Sequence, residues 1–391
     1  MNAVPRIAHL DADAFFVAVE QAIDPSLRGK KVAVGGLTRG IISSASYEAR
    51  ACGVYTPMPS SRAKVVCPDL ILVPHRSGAY GKVSRQLFDL CETVTPTVER
   101  RSIDEGYLDL APCGHQTLEI AAGAVKALQR RIRDELAISV SFGLASNKLV
   151  SGIASKLNKP RGFTVVEPGG EAAFLAGLKV GRLPGVGAKT ESEFNKRGIR
   201  LVSDLLALSD DELAALLGRG WRDFVDMARG IDDSPVETSE TDAKSYSTQE
   251  TFGEDIADRD RIERELKRMI DELIPKIRAD GKRARTMTVK VRYPGMEDSS
   301  AAHSIAEASD LETDFYPHVA PLMRAAWKKR RPLRLVSVKF SGVEDPDGQM
   351  HMFGADDDRR HKLAAALDAL RAKKGADAIL RGHQLKRPEG K

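Results

Sequence analysis

The sequence predicts an α+β protein of several domains. Its 391 residues are enough for two to four domains at roughly 150 residues each. Short apolar runs of strand character alternate with amphipathic helical stretches as far as residue 166 and then give way to a succession of short helices. The alternation resumes after a polar stretch. Hydrophobic residues at 42% and charged residues at 29% exclude wholesale disorder, a collagen-like repeat and a disulfide-dense mini-protein.

Residues 7–11 read as a short buried strand running directly into a helix that begins near Phe15. Lys31 to Gly35 and Ile41 to Tyr47 are two further strands, the second followed by helix-favouring Glu48, Ala49 and Arg50. Pro57, Pro59 and Pro68 cut the next stretch into short pieces, which makes the region from about 20 to 74 a small subdomain. A helical pattern covers Tyr80 to Val94, and residues 98–110 form a hairpin centred on Arg101 to Glu105. Leu118 to Leu136 is an amphipathic helix, Ile138 to Leu144 a strand, Lys148 to Leu157 a helix and Gly162 to Val166 a strand. Five short helices follow, at 171–178, 190–197, 201–207, 210–217 and 221–229. Asp232 to Asp242, rich in Asp, Glu, Ser and Thr, is an interdomain linker. The last folded part has strands at 246–252, 285–293 and 334–340 and helices at 256–279 and 315–329. A loop over 342–354 and a final helix at 359–371 complete it.

A net charge of +5 permits a nucleic-acid partner without requiring one. Cys52, Cys67, Cys91 and Cys113 form no C-x-x-C pair, so neither a zinc ribbon nor a disulfide framework is expected, and a reducing, cytoplasmic setting fits best. Asp11 and Asp13 interrupt what would be a signal peptide, and no apolar run is long enough for a membrane span.

Two separated acidic motifs carry the strongest chemical signal: His9-Leu10-Asp11-Ala12-Asp13-Ala14-Phe15-Phe16 and Ser102-Ile103-Asp104-Glu105-Gly106-Tyr107-Leu108-Asp109. Each alone is more often a solvated turn. Together, an Asp at a strand end and an Asp-Glu at a hairpin can converge on one spot. Adjacent strand residues point to opposite faces, so Asp104 and Glu105 serve one site only where the hairpin twists, and Gly106 would ease or loosen that twist. Three clustered carboxylates repel one another unless cations lie between them, and hard oxygen ligands suit Mg²⁺. Such a pair of ions is the arrangement for phosphoryl transfer.

In Ser43-Ser44-Ala45-Ser46-Tyr47-Glu48-Ala49-Arg50, Tyr47 and Arg50 share a helix face and offer a hydroxyl and a guanidinium fork to a phosphate. Asn147-Lys148 and the stretch from Ala154 to Gly162 place Lys159 before a Pro-x-Gly turn, where it can meet an anion. Leu183-Pro184-Gly185-Val186-Gly187-Ala188-Lys189 has the form of a helix-hairpin-helix turn, whose glycines let backbone N–H groups approach a DNA phosphate. Between Arg285 and Tyr293 the alternation buries Met287, Val289, Val291 and Tyr293 and exposes Thr286, Thr288, Lys290 and Arg292. The same rule exposes Ser337 and Lys339, giving a sheet face suited to tracking phosphates.

These motifs, in this order and at these spacings from about residue 5 to 342, resemble the Y-family DNA polymerases, most of all their DinB branch. The resemblance implies a right-hand polymerase. The palm would be residues 1–18 and 75–167, the fingers 19–74, a helical thumb with the helix-hairpin-helix 168–234, a linker 235–243, an α/β little finger 244–342 and a tail 343–391. It also implies low-fidelity, template-directed addition of dNTPs to a primer on damaged DNA, without proofreading. Residue by residue, Asp11, Asp104 and Glu105 match the catalytic metal-binding carboxylates for two Mg²⁺ ions, with Ala12 lending its carbonyl. Tyr47, Arg50 and Lys159 match the triphosphate contacts, Ser44 adds a hydroxyl, and Phe16 matches the steric gate against a ribose 2′-OH. Phe15 lies beside Phe16 at the nucleotide, and its ring reads as core packing. Asp13 reads as a structural hydrogen-bonding residue. Gly185, Gly187, Lys189, Lys290, Arg292 and Lys339 would bind primer-template DNA. Gln349, Met350, Met352 and Phe353 resemble the short motif that docks into the bacterial sliding clamp, Met350 and Met352 replacing the usual Leu. A monomer without membrane contact is expected. The rival readings are a catalytically silent DNA-damage scaffold, a palm-like nucleotidyl cyclase and a metal nuclease.

Overall fold

The computed structural model describes residues 6–37, 39–76, 78–114, 117–239, 242–346, 355–375 and 378–385. The chain divides into two compact units, Met1–Glu240 and Thr241–Lys391. In the first unit the central strand is β1 (Ile7–Ala12), all but one of whose residues are buried. Ala14 adopts a left-handed backbone (φ 48°) and turns the chain from it into α1 (Phe15–Ile23). There follow β2 (Val32–Gly35), β3 (Ile42–Ala45), α2 (Tyr47–Ala51), α3 (Ser60–Val66) and β4 (Ile71–Val73). β2 pairs antiparallel with β3 and parallel with β4, forming a small sheet over its own core of Ala33, Ile42, Met58 and Leu70.

Next come α4 (Ala79–Glu92), the hairpin β5 (Val98–Arg100) and β6 (Glu105–Asp109), α5 (Leu118–Leu136), β7 (Val140–Ala145), α6 (Lys148–Ala154) and β8 (Phe163–Val165). With β1 they form a five-stranded sheet in the order β5-β6-β1-β7-β8. β1 is antiparallel to both neighbours, with Asp11 opposite Glu105 on one side and Ser141 on the other. Residues four and seven apart on α5, Ala121, Val125, Leu128 and Ile132, are buried and join the core beneath this sheet. Helix α6 approaches β7 so closely that a Cβ on Gly143 would stand 2.6 Å from the Ser155 amide nitrogen and nearer still to the Ser151 carbonyl oxygen.

Helices α7 (Glu171–Ala176), α8 (Ala188–Lys196), α9 (Val202–Leu206), α10 (Asp210–Leu217) and α11 (Trp221–Ala228) complete this unit around Leu175, Val180, Phe194, Val202 and Leu205. Sharp caps set their ends: Ser209 and Glu212 form a reciprocal capping box at α10.

The second unit contains β9 (Ser245–Ile256), α12 (Arg259–Ala279), β10 (Arg283–Arg292), β11 (Asp298–Ser309), α13 (Glu312–Ala326), β12 (Leu333–Glu344) and α14 (Ala355–Lys374). Its sheet, ordered β11-β10-β12-β9, is antiparallel throughout. Met287, Val289, Val291, Val336, Val338 and Phe340 bury on one side, in a core shared with apolar residues of α12 and α13.

Several expected boundaries move. β9 runs on to Ile256 and α12 starts only at Arg259, because the Asp258 carboxylate caps it by accepting from the Arg261 N–H at 3.0 Å. β4 and β11 carried no signal. β4 has three residues among prolines, and β11 is a polar edge strand whose alternate residues need no core. Ser337, expected outside, is buried (7% exposed), because β12 lies between two neighbours and its hydroxyl donates to Thr248 O at 2.8 Å. The tail also packs. Arg381 reaches Glu312 at 3.0 Å and His383 reaches Asp271 at 2.7 Å, so two buried carboxylates of α12 and α13, already bound by Arg278 and Tyr316, find second partners there. The segment carrying Gln349, Met350, Met352 and Phe353 lies outside the described residues. Among the described residues no helix is long and apolar enough to cross a membrane, and the four cysteines are free.

Replacing Gly143 by Ala should force α6 off β7 and destabilise the protein by about 1–3 kcal/mol, measurable as a lower urea midpoint at unchanged slope.

Candidate active site

The site forms where β1 ends and α1 begins. Antiparallel pairing sets Asp11 directly across from Glu105, so two carboxylates lie side by side on adjacent strands. Burial pushes the Asp11 carboxyl above its ordinary pKa. Lys159 and Lys156 pull it back, and the Glu105 charge pushes it up again. Two lysines supply the positive charge. Lys159 Nζ donates to Asp11 Oδ1 and, at 3.0 Å, to the Ala12 carbonyl oxygen. Lys156 Nζ lies 3.1 Å from Glu105 Oε2.

Asp104 stands apart from this pair. Its backbone is beside Ala12, whose N–H donates to Asp104 O at 2.9 Å. Its carboxylate instead accepts from Ser102 Oγ at 2.7 Å, and the same hydroxyl accepts from the Asp104 and Glu105 N–H groups at 3.2 Å. Among the described residues no three His, Cys, Asp or Glu side chains gather closely enough to hold a metal ion. The expected convergence is therefore reached by Asp11 and Glu105, while Asp104 is folded back on its own turn. The donor set still suits a hard cation, since the Asp11 carboxylate and the Ala12 carbonyl already converge on one cationic nitrogen. Gly106 does not loosen the hairpin: a Cβ there would lie 2.6 Å from Glu99 O and 2.7 Å from a Phe88 ring carbon, so it is a point of close packing.

Asp13 is a structural residue. Buried, it accepts from Ser141 Oγ and from the Arg161 N–H, both at 2.8 Å, and so fixes the turn that presents Lys159. His9 is fully buried, with Nδ1 2.7 Å from Ser155 Oγ and Nε2 4.0 Å from Glu105 Oε2. Burial, reinforced by Lys156 and Lys159, pulls its pKa down to about 3, so the ring is neutral.

Tyr47 and Arg50 share one face of α2, the guanidinium 4.8 Å from the Tyr47 ring centre. Arg50 Nε donates to Ala45 O at 3.0 Å, which braces the fork. The Tyr47 hydroxyl oxygen is buried without a hydrogen-bond partner. Its pKa is pushed up to about 12, first by burial and then by Asp13, so it remains a donor in search of an acceptor. Ser44 is buried in β3. Phe15 is buried in the core beneath the turn from β1 into α1. Phe16 is half-buried and touches the rings of His75 and Tyr80.

Farther along the first unit, Gly185 has φ 84°, Gly187 precedes α8, and Lys189 is exposed in its first turn. In the second unit Thr286, Thr288, Lys290 and Arg292 share the open sheet face with Lys339. Arg292 is already paired with Asp298 through two contacts of 2.6 and 2.9 Å, and Lys290 is 3.9 Å from the same carboxylate. Sequence reasoning missed Glu20, His75, Arg76 and Tyr80, which surround Phe16. The one available signal was a Glu four residues after it in a mostly apolar stretch.

Two family models match the chain: the impB/mucB/samB family over residues 10–156 and its C-terminal domain over residues 243–352. A DNA polymerase IV from Opitutus terrae is 62% identical over 387 residues, covering 98% of this chain and 99% of that protein. A DNA polymerase IV from Methanoculleus marisnigri is 38% identical over 344 residues, 86% of this chain and 94% of the relative. Among solved structures, a Y-family chimera of Dbh and Dpo4 covers 87% of this chain and 99% of its own, with a TM-score of 0.78 at 26% identity. DinB from Sulfolobus solfataricus matches over the same shares with a TM-score of 0.60. The chain belongs to the impB/mucB/samB family, the Y-family DNA polymerases, in their DinB branch. It is a DNA-directed DNA polymerase of the translesion type, and neither a silent scaffold nor a cyclase is favoured. Polymerases of this family are metal-dependent.

Asp13→Ala strands the Arg161 N–H and should cost about 1–3 kcal/mol of stability. Asp13→Asn, which keeps an acceptor oxygen, should cost less in the same urea titration.

Proposed function

We propose that the Asp11–Glu105 pair, with Ala12 O and Asp104, binds two Mg²⁺ ions and joins a primer 3′ end to an incoming dNTP. The observation that carries this reading is the convergence of the Asp11 carboxylate and the Ala12 carbonyl on one cation. Bound magnesium would favour ionisation of the primer hydroxyl and neutralise the departing pyrophosphate. The chain's own residues do the rest. Asp11, Glu105 and the Ala12 carbonyl would hold the ions, and Asp104 would join them by leaving Ser102. The partnerless Tyr47 hydroxyl donates to a phosphate oxygen, Arg50 presents its remaining guanidinium donors and Lys159 its free N–H, and Ser44 adds a hydroxyl. Phe16 fills the space a ribose 2′-OH would need and offers it no hydrogen bond.

A core of its own around Ile42, Met58 and Leu70 supports fingers within residues 19–74, while Val32 and Val34 of that stretch join the palm core and Val150 and Ile153 of the palm join the core of the thumb helices. The break between units at residue 240 supports a linker there and a little finger beyond it. A relative solved as an insertion ternary complex, Dbh, lends support to primer-template DNA and dNTP as substrates. DNA would be gripped by the turn of Gly185, Gly187 and Lys189 and by the open sheet face bearing Lys290, Arg292 and Lys339. Gln349, Met350, Met352 and Phe353 would dock a sliding clamp, and the enzyme would act as a cytoplasmic monomer.

In primer extension, Asp11→Ala and Asp104→Ala should each lower dNTP insertion by about two to three orders of magnitude or more, with primer-template affinity nearly intact. Chelation should abolish synthesis and added Mg²⁺ restore it. Equal loss of binding and insertion would overturn the assignment. Lys339→Ala should reduce the slope of log affinity against log salt by about 0.9, and Arg292→Ala by less, because Asp298 already neutralises that guanidinium.

A further inference from the structure

Glu20 is a carboxylate buried to 1% exposure on α1, on the helix face that also buries Val17. Such a group is tolerated only when fully partnered. Its partners come from the first turn of α4 and from just before it. Tyr80 Oη donates to Glu20 Oε1 at 2.8 Å, and Arg76 approaches Oε2 with Nη2 at 3.1 Å and Nε at 3.3 Å. The Arg76 N–H donates in turn to Tyr80 Oη at 3.2 Å. Glu20 lies four residues after Phe16, on the same helix face. The carboxylate therefore fastens Arg76 and Tyr80, and Tyr80 lies alongside the Phe16 ring.

The consequence is a three-ring cluster. Phe16 meets His75 at 5.0 Å between ring centres, edge to face, and Tyr80 at 4.7 Å. His75 and Tyr80 are perpendicular to each other at 5.4 Å. His75 is exposed, so its ring is not there to fill a core. Of the three, Phe16 is the one the reaction uses, as a wall against the sugar. A wall excludes an oxygen atom only if it cannot swing aside, and an isolated ring at a helix start could rotate about χ1.

We propose that His75 is a positioning residue for sugar discrimination. With Tyr80 it clamps the Phe16 ring, and Glu20 and Arg76 hold the clamp shut. This inference rests on the reading of Phe16 as the gate.

The test compares kcat/KM for each dNTP and its matching ribonucleotide on one primer-template, with thermal unfolding of every variant. His75→Ala should lower the dNTP-to-ribonucleotide ratio about five- to tenfold, the worth of one or two aromatic contacts, chiefly through a smaller ribonucleotide KM. His75→Phe, which restores an edge-to-face ring, should recover the ratio. Glu20→Gln, which loses the ion pair, should lower it as well. A purely structural role would depress both substrates alike and leave the ratio fixed, and that result overturns the proposal. Phe16→Ala separates the two levels. If it collapses the ratio while His75→Ala does not, the clamp is wrong and the gate stands. If it leaves the ratio unchanged, the gate itself falls and the clamp with it.

Discussion

The proposed active site depends on β1 being hydrogen-bonded along both edges. A strand so placed must bury most of its side chains, and this one carries Asp11 where the sheet ends. Register then leaves no freedom: Asp11 faces Glu105, and two carboxylates share a space that burial makes inhospitable to charge. The fold answers with cations. Lys156 and Lys159 come from the turn after α6, and Gly143 allows that helix to lie close enough to β7 to deliver them. A sheet register, a glycine and a buried Asp13 thus combine to build a site whose defining property is a demand for positive charge.

What the sequence made legible follows from periodicity. β1, α5 and β10 each display a clean apolar repeat, and each was found where that repeat placed it. β11 failed for the converse reason. As an edge strand with one open face it carries serines and alanines at almost every position, and no repeat survives. Motif order located Asp11, Glu105, Tyr47 and Arg50 in one neighbourhood. It could not say that Ser102 would hold the Asp104 carboxylate, because a hydroxyl two residues away is a local choice between competing acceptors.

The networks that escaped sequence reasoning are those joining residues far apart in the chain. Glu20 waits for Arg76 and Tyr80, and Asp271 and Glu312, already held by Tyr316 and Arg278, gain His383 and Arg381 as well. In each case a carboxylate is buried on an apolar helix face, and its partner arrives from a segment with no periodic signal. The tail residues 378–385 look like a solvated, charged stretch in sequence. They pack there because two buried acids of the second unit, each satisfied at one oxygen by Tyr316 or Arg278, offer the other oxygen to His383 and Arg381.

Lys159 ties these observations together. Its place before a Pro-x-Gly turn leaves it able to meet an anion, and the family resemblance implies a triphosphate contact, while the structure shows it on Asp11 and the Ala12 carbonyl. The two roles are compatible on donor count. An ammonium has three N–H groups, and these contacts use two, so one remains for an acceptor on the nucleotide side. They are also compatible on charge. A carboxylate pair that a lysine neutralises in isolation is the pair that a divalent cation would neutralise better, and an ammonium displaced by like charge has a triphosphate as its natural next partner. The same electrostatic demand that orders the site without ligands thus selects the ligands it would take.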